Sequence, residues 1–520
     1  MTTSKNRSRS NKALLNTIVS LLLELVTIVS SFILPRLILV AFGSKYNGIT
    51  TAISQFLGYI SIFAFGIGGP ARAAIYKPLA EQDIDQVSRI VKASERFLRK
   101  IALFFAIGIM VFAIVYPFVV LDEFDWFFTF TMVLILGLGT FFQYVFGNAY
   151  SMLLQADQKQ YIRNIIQIVT VILNTLVAFV LIKMNLDIRI VKLGSSIVFS
   201  LNPIVIHYLV KRKYKINDKV IPDDSALKQR WDAFAHRIAS FVFSNTDVVI
   251  ISIFLTLKHV SVYSLYLLIA NGLQKIVLSF MSGIEAAFGN MIAKKEKSSL
   301  KNNLNLSEFL IQSISVPVFA TMALLVVPFL KLYTAGVTDI NYALPSFGFL
   351  VSITFLIFCI RSPYELIIYA AGHYKQTKIG AIVESVLNIT LSIALVFPLG
   401  LNGIMIGTLV AMSVRTIEYI VYVNKHLVVR DEIAILKRFV KSGILGIIIF
   451  AFFTIVPLFE ATSYWMWIAN ALIIFVSSSL FVLLVSLVLN RYELNQIKNM
   501  IERILKKNKN RKQTMSKNQK

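Results

Sequence analysis

Cysteine is almost missing from this chain: Cys359 is the single one in 520 residues. An internal disulfide is therefore impossible, and no CxxC redox or zinc motif exists. Charge is thin as well, at 15% of residues against about 25% in soluble domains. Carboxylates are the scarcer sign, with 27 Asp and Glu facing 52 Lys and Arg. The five histidines (His207, His236, His259, His373 and His426) lie on different segments with no metal-ligand spacing. H-E-x-x-H, Walker A and nucleophile-elbow patterns are also missing, so a zinc hydrolase, a P-loop NTPase and an α/β-hydrolase are excluded.

Apolar residues fill the gap, at 57% of the chain with a mean hydropathy of +0.72. A soluble protein of net charge +25 would suggest nucleic acid. Here the basic residues sit in short loops and tails, where the positive-inside rule and an anionic leaflet explain them. Lys5, Arg7, Arg9 and Lys12 precede an apolar run reaching about Gly43. That run is far longer than a signal-peptide core of about 7–15 residues and lacks an A-x-A site, so it reads as an uncleaved first span.

A bilayer core needs roughly 20 apolar residues per helix, and an open sheet would strand backbone polar groups in lipid. The sequence therefore predicts helical spans over 14–42, 48–70, 99–121, 126–153, 161–182 and 189–210. Six more follow at 234–256, 260–292, 308–333, 342–370, 375–398 and 402–424, and two at 441–458 and 464–490. Basic residues test the count independently. With the N-terminus inside, 42 of the 52 Lys and Arg fall in alternate polar segments, 7 in the others, and Lys275, Arg361 and Arg415 within spans. The expectation is an all-α polytopic protein of about 14 transmembrane helices in the cell membrane, both termini cytoplasmic.

A displacement of 213 residues lays Lys45 on Lys258, Ala73 and Ala74 on Ala286 and Ala287, Tyr161 on Tyr374, and Gly194 on Gly407. Two six-span halves in parallel orientation follow, 1–213 and 214–427, with two additional spans over 428–490. A substrate path is commonly placed at the interface between such halves. The longest inner loop, 211–235, joins them. In the tail, 491–520, Leu494, Ile497, Ile501, Ile504 and Leu505 recur at helical spacing beside Lys506, Lys507 and Lys509, as in a helix lying on an anionic leaflet.

Charges at membrane depth cost about 2.5–3.5 kcal/mol each and are functional suspects by default. They are Glu24, Arg36, Asp247, Lys275, Glu285, Arg361, Glu365, Glu384, Arg415 and Glu418. Arg361 with Glu365 (i,i+4) and Arg415 with Glu418 (i,i+3) can each neutralise on one helix face. Lys275 has no such neighbour and is a cavity-lining candidate, with Glu285 on a roughly adjacent face. Arg36, after Pro35, suits either a pathway cation or an outer-headgroup anchor. Glu24, Asp247, Glu285 and Glu384 are candidates for coupling to a proton or sodium ion. Gly66-Ile67-Gly68-Gly69-Pro70-Ala71-Arg72 joins small residues, a helix breaker and a cation. No strand precedes it, so a dinucleotide site is excluded. Arg72 then lines the inner mouth of a path or marks the cytoplasmic boundary. Trp126, Tyr464, Trp465 and Trp467 read as outer-interface anchors.

Four stretches carry a resemblance: FGIGGPARAAIYKPLAEQDID, LLQADQKQYIRNIIQIVTVILN, NTDVVIISIFLTLKHVSVYSLYLLI and AGHYKQTKIGAIVESVLNITLSIALVFPLGLNGIMIGTLVA. Over residues 10–425 the chain resembles the polysaccharide-export (Wzx-like) flippases. They share the MOP superfamily with MATE drug exporters and peptidoglycan-precursor flippases. The resemblance implies a MATE-like V of two six-helix lobes around a cavity open to alternate sides, plus two C-terminal helices. It further implies translocation of undecaprenyl-diphosphate-linked oligosaccharides for cell-surface polysaccharide synthesis, without a covalent step. No cofactor is then required beyond an ion gradient or membrane potential. The implied partners are the polyprenyl-diphosphate glycan, anionic phospholipids, a polysaccharide polymerase and glycosyltransferases, and no nucleic acid. Cavities for a diphosphate are lined by Arg and Lys, and Arg36, Arg72, Lys275 and Arg361 are the candidates for that role. An ion-coupled exporter of small organic cations stays open on the same fold through Glu24, Asp247 and Glu384. A membrane-embedded glycan polymerase or ligase fits less well, because the outer gaps are short and poor in carboxylate or histidine clusters.

Overall fold

A computed structural model describes residues 2–61, 68–224, 245–281, 284–456, 459–499 and 502. Every regular element among them is helical. In chain order these are α1 (Thr2–Phe42), α2 (Ser44–Ile60), α3 (Gly68–Glu81), α4 (Ile84–Val119) and α5 (Trp126–Phe142). A π-helical turn, Gln143–Gly147, leads into α6 (Asn148–Ala156), α7 (Gln160–Lys183) and α8 (Ile188–Tyr214). Then come α9, described over Asn245–Phe254, α10 (Leu257–Ser279), α11 (Ile284–Ala293), α12 (Lys297–Tyr333) and α13 (Pro345–Ala370). The series closes with α14 (Lys378–Leu399), α15 (Leu401–His426), α16 (Glu432–Ile455) and α17 (Tyr464–Leu489). A short helical stretch, 491–499, follows.

Twelve of these helices are long and apolar enough to cross a bilayer, and the chain is a multi-pass α-helical membrane protein. The other two of the fourteen expected spans are the second and the seventh. α2 is 17 residues long and stops before 62–67. The start of the seventh span, 234–244, lies outside the described residues, as do Gly66, Ile67, His236 and the tail residues Ile501, Ile504 and Leu505. The stretch expected as one span over 260–292 is divided, ending at Ser279 and resuming as the short α11.

Polar caps set where helices begin. Asp83, Asp125, Asp187, Asp431 and Ser463 each accept a hydrogen bond from a first-turn amide of α4, α5, α8, α16 and α17 respectively. Such caps satisfy orphaned amide donors just where a chain enters lipid. Helix starts also recur: α2, α4 and α8 begin at 44, 84 and 188, while α10, α12 and α15 begin at 257, 297 and 401, each 213 residues later.

The chain divides into two compact units. The first comprises Met1–Leu268 with Tyr333–Tyr342 and Ile389–Ile404. Within it α7 packs against α1 and α8, and α5 against α4 and α8. Gly147 allows the π turn to approach α8, since a Cβ there would stand 2.6 Å from the Pro203 Cβ. The second unit comprises Ile269–Leu332, Ala343–Asn388 and Met405–Lys520. One apolar cluster in it joins Phe288, Leu304, Tyr364, Ile368, Tyr419 and Val423. Another seats α16 and α17 on α12 through Val316, Leu325, Ile449, Phe453, Ile474 and Val482. Lipid-facing surface is apolar instead of charged, as at Leu21, Leu25, Trp465 and Val488.

Candidate functional site

The first unit holds a cavity of about 650 Å³ bounded by α1, α2, α5, α7 and α8, a size typical of small-molecule sites. Helical periodicity builds its wall. On α7, Arg163, Gln167, Val171, Asn174 and Ala178 fall on one face at i+3 and i+4 steps. On α8, Lys192, Ser195, Phe199 and Asn202 do the same. Thr27, Ser30 and Ser31 of α1 add hydroxyls, and Gln143 of the π turn adds an amide. Single π turns inside α-helices frequently mark functional positions.

Two features set the electrostatics of this cavity. Among the described residues its lining includes Arg163 and Lys192 and no carboxylate. Neither cation has an ion-pair partner among the described residues, and both are half-buried. The second feature is Asn174, 3% exposed, whose Oδ1 accepts no hydrogen bond. That oxygen has almost no accessible surface, and an orphaned buried acceptor costs about 1–3 kcal/mol. Elsewhere the wall is internally tied: Asn202 donates to Gln167 Oε1 at 3.1 Å and to Thr170 Oγ1 at 3.0 Å. Ser30 and Thr175 hydroxyls meet at 2.7 Å. Chemically, the cavity can hold an anion at its cations and a hydroxyl-rich group along its amides.

Segments outside the spans clasp one end of this unit. Asp157 meets Lys159, accepts from the Tyr214 hydroxyl at 2.5 Å and pairs with Lys12 at 3.4 Å. Burial pushes its carboxyl up, but Lys159, Tyr214 and Lys12 outweigh that and hold it below the usual range. Asp218 lies 2.5 Å from both Lys211 and Lys92, and these two ammonium groups hold its carboxyl at about 2.

The candidates named from sequence are scattered. In the first unit Arg36 donates to the Ala335 carbonyl at 2.9 Å, and Arg72 donates to Gln155 Oε1 at 2.6 Å. Glu24 is half-buried on α1. Asp247, 6% exposed, accepts from the Tyr263 hydroxyl at 2.7 Å. In the second unit Arg361 and Glu384 pair at 2.6 Å, while Lys275 and Glu285 are exposed. Glu365, expected to neutralise Arg361 along its own helix, instead accepts from the Tyr369 hydroxyl at 2.7 Å. Tertiary packing supplied Arg361 with a better-placed carboxylate on α14. Arg415 does pair with Glu418 as its spacing suggests, and its Nε also faces Glu384 at 3.7 Å.

The structure adds residues that the sequence did not single out. Arg163 and Lys192 stand near polar gaps and read there as boundary charges. Their signal was the polar stripe each shares with amides and hydroxyls three or four residues on. Glu308, 1% exposed, lies 2.5 Å from Arg430 and 2.9 Å from Arg438, which reaches Glu493 at 3.0 Å. In the first unit Glu95, 4% exposed, pairs with Lys92 at 2.7 Å and faces His207 at 4.0 Å. Among the described residues no three His, Cys, Asp or Glu side chains gather as a metal site.

No protein-family model matches the chain, and no curated protein sequence matches it. Solved structures do. A lipid II flippase, MurJ, in an inward closed conformation superposes with a TM-score of 0.67 at 15% identity, over 90% of this chain and 98% of that one. An inward-facing multidrug resistance MATE family transporter of the MOP superfamily gives 0.55 at 15% identity, over 79% and 97%. The MATE multidrug transporter DinF-BH gives 0.52 at 16% identity, over 81% and 95%. The fold of this chain is that of the MOP-superfamily transporters.

Proposed function

We propose that this protein is an alternating-access transporter that moves the anionic headgroup of a lipid-linked oligosaccharide across the membrane. The observation carrying this reading is the carboxylate-free cavity with Arg163 and Lys192 on its wall. A half-buried cation without a counter-ion is costly at membrane depth, and a diphosphate supplies one. Amides and hydroxyls between the cations match the polar faces of sugars, while a prenyl tail stays in lipid. Similarity to the inward closed flippase and the inward-facing MATE transporter structures supports alternating access. In this reading the halves are residues 1–213 and 214–427, with Arg72 and Lys275 as accessory cations and Glu24, Asp247 and Glu285 as candidate coupling groups. Arg36 and Arg361 serve structure, each held by the partner described above. The MATE structures favour a second reading, export of organic cations, but that chemistry wants acids where this cavity has bases.

The test is a vesicle assay. Purified full-length protein is reconstituted, a labelled polyprenyl-diphosphate glycan is loaded in one leaflet, and its arrival in the other is measured. Translocation should fall at least tenfold when Arg163→Gln and Lys192→Gln are combined. Unchanged transport with both cations removed would reject the reading.

A further inference from the structure

Arg163 and Lys192 belong to one cavity but stand at opposite ends of it. α7 and α8 pack together and are joined by the short turn 184–187, so they run antiparallel. Arg163 lies in the first turn of α7 and Lys192 in the second turn of α8. At the helical rise, Arg163 is about 30 Å from that turn along the axis and Lys192 about 6 Å, a separation of about 24 Å. A diphosphate is far shorter than this, so it cannot neutralise both. Any ligand with one anionic end would leave the other half-buried cation uncompensated on the cavity wall, a costly arrangement at membrane depth. A ligand anionic at both ends compensates both.

Resting on the transport reading above, we propose that the substrate is an acidic oligosaccharide diphosphate, its diphosphate on Arg163 and an anionic sugar substituent on Lys192. The planar guanidinium grips phosphate oxygens in pairs, whereas the ammonium acts as a point charge suited to a lone carboxylate or phosphate ester. The sugars between them run past the amide of Gln167 and the hydroxyl of Ser195, which line the same cavity.

Two labelled polyprenyl-diphosphate glycans of equal length are compared in reconstituted vesicles, one neutral and one ending in a uronic acid. A third, ending in a sugar phosphate, separates the two sources of negative charge. The unmodified protein should move the acidic glycans at least tenfold faster than the neutral one. Lys192→Gln should collapse that acidic-to-neutral ratio toward one, and Lys192→Arg should restore it, which a folding defect would not do. Arg163→Gln should slow all three glycans together. A ratio near one in the unmodified protein, or a ratio that survives Lys192→Gln while both rates fall, overturns the assignment. Failure of every glycan to cross in the unmodified protein overturns the transport reading itself.

Discussion

Arg361 Nη1 and Glu384 Oε1 meet at 2.6 Å between α13 and α14, with both residues less than a tenth exposed. Removing Arg361 leaves Glu384 only the more distant Arg415 Nε at 3.7 Å, whereas removing both leaves Arg415 with Glu418. Arg361→Met alone should lower stability by about 3–5 kcal/mol, and adding Glu384→Leu should recover most of it. Unfolding midpoints in detergent check this. Equal loss in the single and double variants would show that the pair is not what matters.

Glu308 holds the last two helices by a similar logic. It faces Arg430 and Arg438, which extends the network to Glu493 beyond α17. Glu308→Leu leaves the buried Arg430 guanidinium with no carboxylate, while Arg438 keeps Glu493, and should cost about 3–5 kcal/mol. Limited proteolysis between α15 and α16 should become faster. No change in cleavage rate would mean that the apolar contacts of Ile449 and Ile474 suffice alone.

Asp218 gives a pH dependence with a definite sign. Its folded carboxyl titrates at about 2 because Lys211 and Lys92 flank it, against roughly 3.9 in an unfolded chain. The stability it contributes is therefore complete above about pH 4 and lost as pH falls toward 2. Thermal midpoints of the parent and Asp218→Asn should differ most near neutrality and converge in that acid window. A difference that is constant down to pH 2 would remove the electrostatic explanation.

Gly147 tests how tightly the cavity is framed. A Cβ there would press on Pro203, with its Cβ 2.6 Å and its Cα 3.2 Å away. Gly147→Ala should push α8 off the π turn, costing about 1–3 kcal/mol. Glycan transport in the vesicle assay should fall further than the change in folded fraction explains. Parent-like transport would show that the contact relaxes without moving the wall.

The membrane architecture was legible because periodic apolar length and alternating basic segments are local, repeated signals. The division of the 260–292 stretch after Ser279 was harder, since it lies inside a run that reads as one long apolar span. The site was less legible still. Arg361 was paired in the sequence with its helical neighbour Glu365, but packing placed Glu384 closer. Arg163 and Lys192 were hidden by position: each lies close enough to a polar gap to pass for an interfacial charge. Only the facing of one polar stripe by another turns them into a wall, and that relation needs tertiary structure.

A cavity of about 650 Å³ lined in part by amides and hydroxyls also has room for water. At about 30 Å³ per molecule it accommodates on the order of twenty waters. Docking a glycan must expel most of them into bulk. Affinity should thus rise with osmotic pressure from solutes too large to enter, a thermodynamic lever independent of charge.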